Sequence, residues 1–364
     1  MTHPDTNDAA PADDTLDASA GDVARTTAIE RRAPVAVVAG GSAGIGRATA
    51  RRLAERGYDV AVLARGEARL AETVRDLERR GARALGLPCD VADDAAVATA
   101  HARVSDELGT PVVWVNSAML TAFSPFEKME DAEFRRIVEV TFLGQVNGTR
   151  AALSGMRGLG RGSIVNIGSG LAYRSVPLQS AYCAAKAAIN GFTASLRSEL
   201  IHAGLDDIHL SLVQLPAVNT PQFDWARSRL DRVPRPAAPV YQPEVAARAV
   251  LQAIDEGSRE LFVGRSVPGL VFGNMLAPGY LDRKLADAGW DGQHSGEPDP
   301  GYRPGNLETA AERDVAAHGS WDGEALDGGM VVDADAMRHA VAAGAGIALF
   351  AAGLLTASLL RGRR

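Results

Sequence analysis

A serine, a tyrosine and a lysine stand close together in this chain at a spacing that permits acid–base chemistry. Ser169 closes the apolar run GSIVNIG, Tyr182 follows thirteen residues later, and Lys186 comes four residues after that. The segment AYCAAKAAINGFTASLRSEL reads as a helix, and positions four apart share a helix face, so Tyr182 and Lys186 point to the same place. A phenol with a pKa near 10 is a poor acid or base at neutral pH. An ammonium about 4 Å away, at an effective dielectric of about 20, contributes roughly 4 kcal/mol, or about three pKa units. With Ser169 hydrogen-bonding a substrate oxygen, the trio moves a proton to or from a hydroxyl or carbonyl. Alone, the Tyr–Lys spacing is more simply that of an ordinary amphipathic helix. The rest of the chain decides between the two readings.

A second constellation is Gly40-Gly41-Ser42-Ala43-Gly44-Ile45-Gly46, between the apolar run PVAVVA and the helical pattern ATARRLAERG. Strand, glycine turn and helix in that order bring a backbone close to a pyrophosphate and aim a helix N-terminus at it. Bracketed this way, the cluster predicts nucleotide binding rather than a mere tight turn. The next apolar run, YDVAVLA, ends at Ala64, where NAD-binding folds usually carry an acid for the ribose 2′-hydroxyl. Arg65 follows, and a guanidinium there would pair a 2′-phosphate. The sequence therefore predicts NADP over NAD. The alternative for Arg65 is a solvated residue that starts the next helix.

The elements that must position these residues alternate. ARALGLPCD reads as a strand ending at Asp90, DDAAVATAHARVSDELG as a helix, and PVVWVN as a strand ending at Asn116. A long helix is expected over 125–156, a strand over GSIVNIG, and a helix over 179–203. DIHLSLVQL is then a strand, Pro243 opens a helix through Glu256, and RELFVG is a last short strand. This alternation predicts an α/β fold with a doubly wound parallel sheet, a Rossmann fold. Ligands of such sheets bind at the carboxyl ends of the strands, where the glycine cluster, Asp90, Asn116 and Ser169 all fall.

Composition narrows the classes. The 364 residues are 46% hydrophobic and 23% charged, with a net charge of −7, which is no electrostatic footprint for nucleic acid. Two cysteines, Cys89 and Cys183, sit in apolar segments and indicate no disulfide framework. The seven histidines form no metal-ligand pattern, so no metal is expected.

Over roughly residues 34–265 the chain resembles the short-chain dehydrogenase/reductase family. Ala39 to Gly46 match its glycine motif, with Ala39 where threonine is usual. Asp90-Val91 match the acidic residue that contacts adenine. Asn116-Ser117-Ala118-Met119 stand where Asn-Asn-Ala-Gly is usual, and Pro216-Ala217-Val218-Asn219-Thr220 replace the Pro-Gly turn and the threonine that reach the nicotinamide side. Ser169, Tyr182 and Lys186 match the catalytic serine, tyrosine and lysine at the family's spacing. The resemblance implies that Tyr182 is the acid–base, that Lys186 lowers its pKa and holds the nicotinamide ribose, and that Ser169 orients a carbonyl or alcohol while hydride passes to or from the nicotinamide. It implies cofactor contacts from Gly40, Ser42, Ala43, Gly44, Ile45, Gly46, Arg65, Asp90, Val91, Asn116, Ala118, Tyr182, Lys186, Pro216 and Thr220. It further implies a homo-oligomer, a dimer or tetramer packed through the helices at 125–156 and 179–203.

Two departures matter. Thr141 replaces the asparagine that many members carry as a fourth catalytic residue, and Asn147, six residues on, lies about 240° around the helix and cannot substitute. Thr141 is therefore the remaining candidate to hold a relay water by its hydroxyl. Met119 replaces a glycine beside the cofactor channel, narrowing it or shaping the substrate pocket. The reading is an NADP-dependent oxidoreductase acting on a small-molecule carbonyl or alcohol. The alternative is a catalytically decayed NADP-binding sensor or scaffold of the same fold, and the intact Ser169, Tyr182 and Lys186 favour the enzyme.

Outside this region the expectations rest on composition. Residues 1–32 read as a disordered acidic tail, and 33–265 form the catalytic domain. Within 216–243, Phe223, Trp225, Val240 and Tyr241 are expected to cover a hydrophobic substrate, and Arg227, Arg229, Arg232 and Arg235 to be solvated or to meet an anionic group. Residues 266–289 read as a helical extension, 290–338 as a Gly-, Asp-, Glu- and Pro-rich flexible linker, and 339–364 as an apolar helix. Its 21 uncharged residues at 340–360 are long enough to span a bilayer, or to pack on protein. No apolar run at the N-terminus marks a secretory signal. A cytoplasmic enzyme, membrane-anchored through 340–360, is the expectation.

Overall fold

Val35–Ala39 is five apolar residues in a row and forms β1, every residue of it buried. A strand covered on both faces needs no polar alternation. The computed structural model describes residues 33–299, 301–311 and 317–344. After β1 come α1 (Gly44–Glu55), β2 (Asp59–Ala64), α2 (Glu67–Glu78), β3 (Ala84–Pro88), α3 (Asp94–Glu107) and β4 (Val113–Asn116). Then follow α4 (Asp131–Val138), α5 (Gly144–Leu159), β5 (Gly162–Ile167), α6 (Ser180–His202), β6 (Ile208–Gln214), α7 (Pro243–Glu256) and β7 (Glu260–Val263). Local signals set several helix starts: Asp93 accepts from Ala96 N at 3.0 Å to cap α3, a Glu130/Glu133 capping box opens α4, and Pro243 stands in the first turn of α7.

The strands form one sheet in the order β3-β2-β1-β4-β5-β6-β7, all parallel, as the alternation predicts. The order reverses between β1 and β4, which opens a crevice at the carboxyl ends of the strands. Trp114, Ile137, Met156 and Ile164 fill the core on one face of the sheet, and Val38, Leu53, Val62 and Val250 fill it on the other.

The long helix expected over 125–156 is interrupted. A 3₁₀ turn spans Phe126–Lys128, α4 begins only after the Glu130 cap, and a wide turn with π geometry occupies Glu139–Leu143 before α5. Such a wide turn inserts a residue into the helical ladder and re-aims the side chains that follow.

The flexible linker expected over 290–338 is corrected wherever that segment is described. After β7 come α8 (Ser266–Leu276) and α9 (Pro278–Asp291), and then the chain folds back over the catalytic domain. His294–Pro298 pairs with Arg232–Pro234, Arg303 bridges Ser228, and Leu307 is fully buried. His318 contacts Glu244 at 2.9 Å, and Val331–Asp333 adds an antiparallel strand, β8, beside β7. Composition mislabels this stretch because its acids and glycines have partners in the domain: Glu308 takes Arg227 at 2.6 Å, and Gly305 fits where a side chain would not. Residues 334–344 are helical. The acidic tail expected over 1–32 lies outside the described residues, as does most of the apolar helix expected over 340–360. Among the described residues no helix is long and apolar enough to cross a membrane.

Candidate active site

The end of β5 and the first two turns of α6 meet at Ser169. Its backbone N–H donates to Gln214 Oε1 at 2.8 Å, and its hydroxyl accepts from Leu171 N at 3.1 Å. A Cβ at Gly168 would stand 2.3 Å from Gln214 Oε1, so a side chain there would displace the amide that holds Ser169. Tyr182, in the first turn of α6, brings its phenol beside the Ser169 hydroxyl. Lys186, one turn on, is buried; its Nζ lies 5.6 Å from the centroid of the Tyr182 ring and donates to Ile167 O at 2.7 Å. The three residues predicted to act together are together.

Their electrostatics differ from the simple expectation. Burial pushes the Tyr182 phenol above its ordinary value, with the Ser169 hydrogen bond opposing, and burial brings the Lys186 ammonium down to about 7. Desolvation is the largest influence on both groups, so the phenol holds its proton at neutral pH.

Two sequence candidates do other work. Thr141 sits in the wide turn, fully buried; its hydroxyl donates to Leu120 O at 3.0 Å and accepts from Leu120 N at 2.9 Å. Its only proton is committed, which corrects the expectation of a water-holding relay residue. Asn116 is also buried, and its amide is spent on the core: it donates to Asn166 Oδ1 at 2.8 Å and accepts from Trp114 Nε1 at 2.8 Å. It ties β4 to β5 instead of facing the cleft. Asn147 donates to Val91 O at 3.0 Å, away from Thr141, as the 240° offset requires.

A cleft at the carboxyl ends of the strands is lined by Gly40, Ser42, Ala43, Gly44, Ile45, Arg65, Asp90, Val91, Ala118, Met119 and Thr220, all singled out in the sequence. Of the expected cofactor contacts, Gly46, Asn116, Tyr182, Lys186 and Pro216 are not in its wall. Gly46 acts behind it, since a Cβ there would meet Gly40 O at 2.3 Å. Gly40 has φ +82° and a Cβ there would stand 2.5 Å from Ala118 N, so only glycine suits this approach. Asp90 Oδ1 accepts from Ala92 N at 3.0 Å and its other oxygen pairs with Arg136.

Sequence reasoning missed several cleft residues. Arg69, in the first turn of α2, stacks over Trp225 at 4.8 Å. A second arginine just past Arg65, at the start of the next helix, was the signal available for it. Arg65 itself donates to the carbonyls of Asn306 at 2.6 Å and Leu307 at 2.9 Å. Trp225 thus faces the cleft instead of a substrate lid, Phe223 packs on Phe123 at 5.8 Å, and Val240 and Tyr241 are core. Arg227 and Arg229 are neither solvated nor open to an anionic substrate: both pair with the buried Glu133, at 2.6 and 2.7 Å.

The cleft suits a dinucleotide. The glycine cradle has no room for side chains, and Arg69 Nε and Nη1, Gln222 Nε2 and Asn306 Oδ1 are buried polar atoms of the wall without hydrogen-bond partners. Donors and an acceptor without partners are what phosphates, ribose and an adenine satisfy.

The profile of the short chain dehydrogenase family matches residues 34–230. An uncharacterized oxidoreductase of Bacillus subtilis, YxnA, is 31% identical over 72% of this chain and 74% of its own. The short-chain reductase protein NovJ of Streptomyces niveus is 37% identical over 54% of this chain and 73% of its own. The crystal structure of levodione reductase superposes with a TM-score of 0.49 at 28% identity, covering 52% of this chain and 73% of that one.

Proposed function

Since the chain belongs to the short-chain dehydrogenase/reductase family and is an oxidoreductase of that class, we propose that it is NADP-dependent and acts on a carbonyl or alcohol through Ser169, Tyr182 and Lys186. The single observation that carries the proposal is the Tyr182 phenol beside the Ser169 hydroxyl with the Lys186 Nζ 5.6 Å from the centroid of the same ring, in a chain that also carries a glycine-cradled cleft.

When bound, the nicotinamide supplies or accepts the hydride. The chain's residues manage the proton. In the reducing direction Tyr182 gives its phenolic proton to the carbonyl oxygen, and in the oxidising direction it takes the proton back from the alcohol. Ser169 Oγ holds the same oxygen by a hydrogen bond. Lys186, with a pKa near neutrality and its amine fixed to Ile167 O, supports the phenolate when it forms. At the adenosine end, Arg69 is the residue with guanidinium nitrogens to spare, while Arg65 is spent on backbone carbonyls. No acid stands at Ala64 to repel a 2′-phosphate. These features support NADP over NAD.

The test is a panel of ketones, aldehydes and alcohols with NADPH or NADP⁺, read by nicotinamide absorbance. Turnover of at least one substrate by the wild type, lost in Tyr182→Phe, is the expected result. NADPH binding with no turnover across the panel would instead favour a non-catalytic sensor.

A further inference from the structure

Beyond the residues that match the family, one segment reaches the candidate cleft from a different part of the chain. Arg303 exchanges two backbone hydrogen bonds with Ser228, at 2.9 and 3.1 Å, and its guanidinium donates to the carbonyls of Phe223, Asp224 and Ala226. Pro304 O accepts from Arg227 Nε at 2.6 Å. Gly305 has φ +70°, and a Cβ there would stand 2.2 Å from Arg227 N, so the segment presses on the domain as only glycine allows. Leu307 is buried, and its carbonyl accepts from both Arg65 and Arg136, at 2.9 and 3.1 Å. Arg136 in turn pairs with Asp90. The strap 303–308 is therefore fixed to the residues that wall the adenosine end.

Asn306 sits at the middle of this strap, in the wall of the cleft. It is 7% exposed, and its Oδ1 has no hydrogen-bond partner. Its backbone carbonyl is used by Arg65, so the side-chain oxygen is the atom left over. A buried acceptor without a partner is costly, and a donor from a ligand removes that cost. Adenine and its ribose both carry such donors.

We infer that the strap 303–308 is the outer wall of the adenosine subsite and that Asn306 Oδ1 accepts a hydrogen bond from the adenosine half of the cofactor. Arg65 serves this wall as its tether, which is why its guanidinium is turned to the strap carbonyls. The inference rests on the dinucleotide reading of the cleft.

The experiment measures binding of two fragments to the full-length chain by calorimetry: 2′,5′-ADP for the adenosine half and reduced nicotinamide mononucleotide for the other. Asn306→Leu is expected to weaken 2′,5′-ADP roughly fivefold to tenfold, the equivalent of one hydrogen bond, with the nicotinamide fragment unchanged. In the wild type, 2′,5′-ADP is expected to slow hydrogen exchange of the amides at 303–308, a readout that needs no variant to fold. Unchanged 2′,5′-ADP affinity in the variant, or no added protection, overturns the inference. Tighter binding by Asn306→Leu also overturns it, because the strap would then obstruct the subsite. A wild type that binds neither fragment sinks the dinucleotide reading itself, and the inference with it.

Discussion

Gln214 accepts the backbone N–H of Ser169 at 2.8 Å, and the other end of the same amide donates to Glu260 Oε1 at 2.8 Å. Glu260 is buried and also takes Tyr173 and Arg338, the latter from the helical residues after β8. The candidate catalytic serine is thus held through one glutamine by a buried carboxylate and a residue some 170 positions along the chain.

Gln214→Leu leaves the Ser169 N–H and one Glu260 oxygen without this partner. A buried orphan of this kind costs about 1–3 kcal/mol. At roughly 2–4 °C per kcal/mol for a domain of this size, the melting temperature falls by about 2–12 °C. Thermal unfolding followed by circular dichroism measures it, and an unchanged melting temperature would show that the network carries no weight.

Tyr182→Phe keeps the ring and removes the proton. The variant is expected to bind NADPH as the wild type does, by fluorescence titration, and to lose about 10²–10⁴-fold in turnover. Comparable turnover by the variant would remove Tyr182 from the chemistry.

Arg69 and Arg65 are separable. Arg69→Ala removes the guanidinium whose nitrogens lack partners and is expected to weaken NADPH about tenfold to a hundredfold, on the scale of a charge-assisted hydrogen bond, with NADH little changed. Arg65→Asp releases the strap carbonyls and brings in an acid, so it is expected to shift preference toward NADH and to lower thermal stability as well. Equal NADPH and NADH affinities in the wild type would refute the cofactor preference.

Lys186 makes stability depend on pH. Its pKa falls from 10.5 to about 7 on folding, so between those values the unfolded chain holds a proton there that the folded chain does not. Stability therefore rises with pH across this window, by at most about 1.4 kcal/mol per unit from this one group. Lys186→Met removes that contribution. Its stability relative to the wild type is expected to be greatest near pH 7 and to decline toward pH 10. Parallel stability–pH curves for the two proteins would contradict the burial-driven shift.

The amino-acid sequence by itself determined the parallel sheet, the glycine cradle and the Ser169–Tyr182–Lys186 trio. Each is written locally: apolar runs of strand length, glycines between a strand and a helix, and a four-residue spacing on one helix. What only the tertiary structure decided are contacts between residues far apart, which no periodicity records. Thr141 looked free to hold a water until the wide turn at Glu139–Leu143 handed its hydroxyl to Leu120. Arg65 looked ready for a phosphate until a strap 241 positions away took its donors. Asn306 carried no signal at all, since a single polar residue in a glycine-rich stretch gains meaning only from the cleft it faces. Short-range geometry follows from chain stereochemistry, whereas the partner of a buried polar group is set by which distant segments pack together, and that is a property of the whole folded chain.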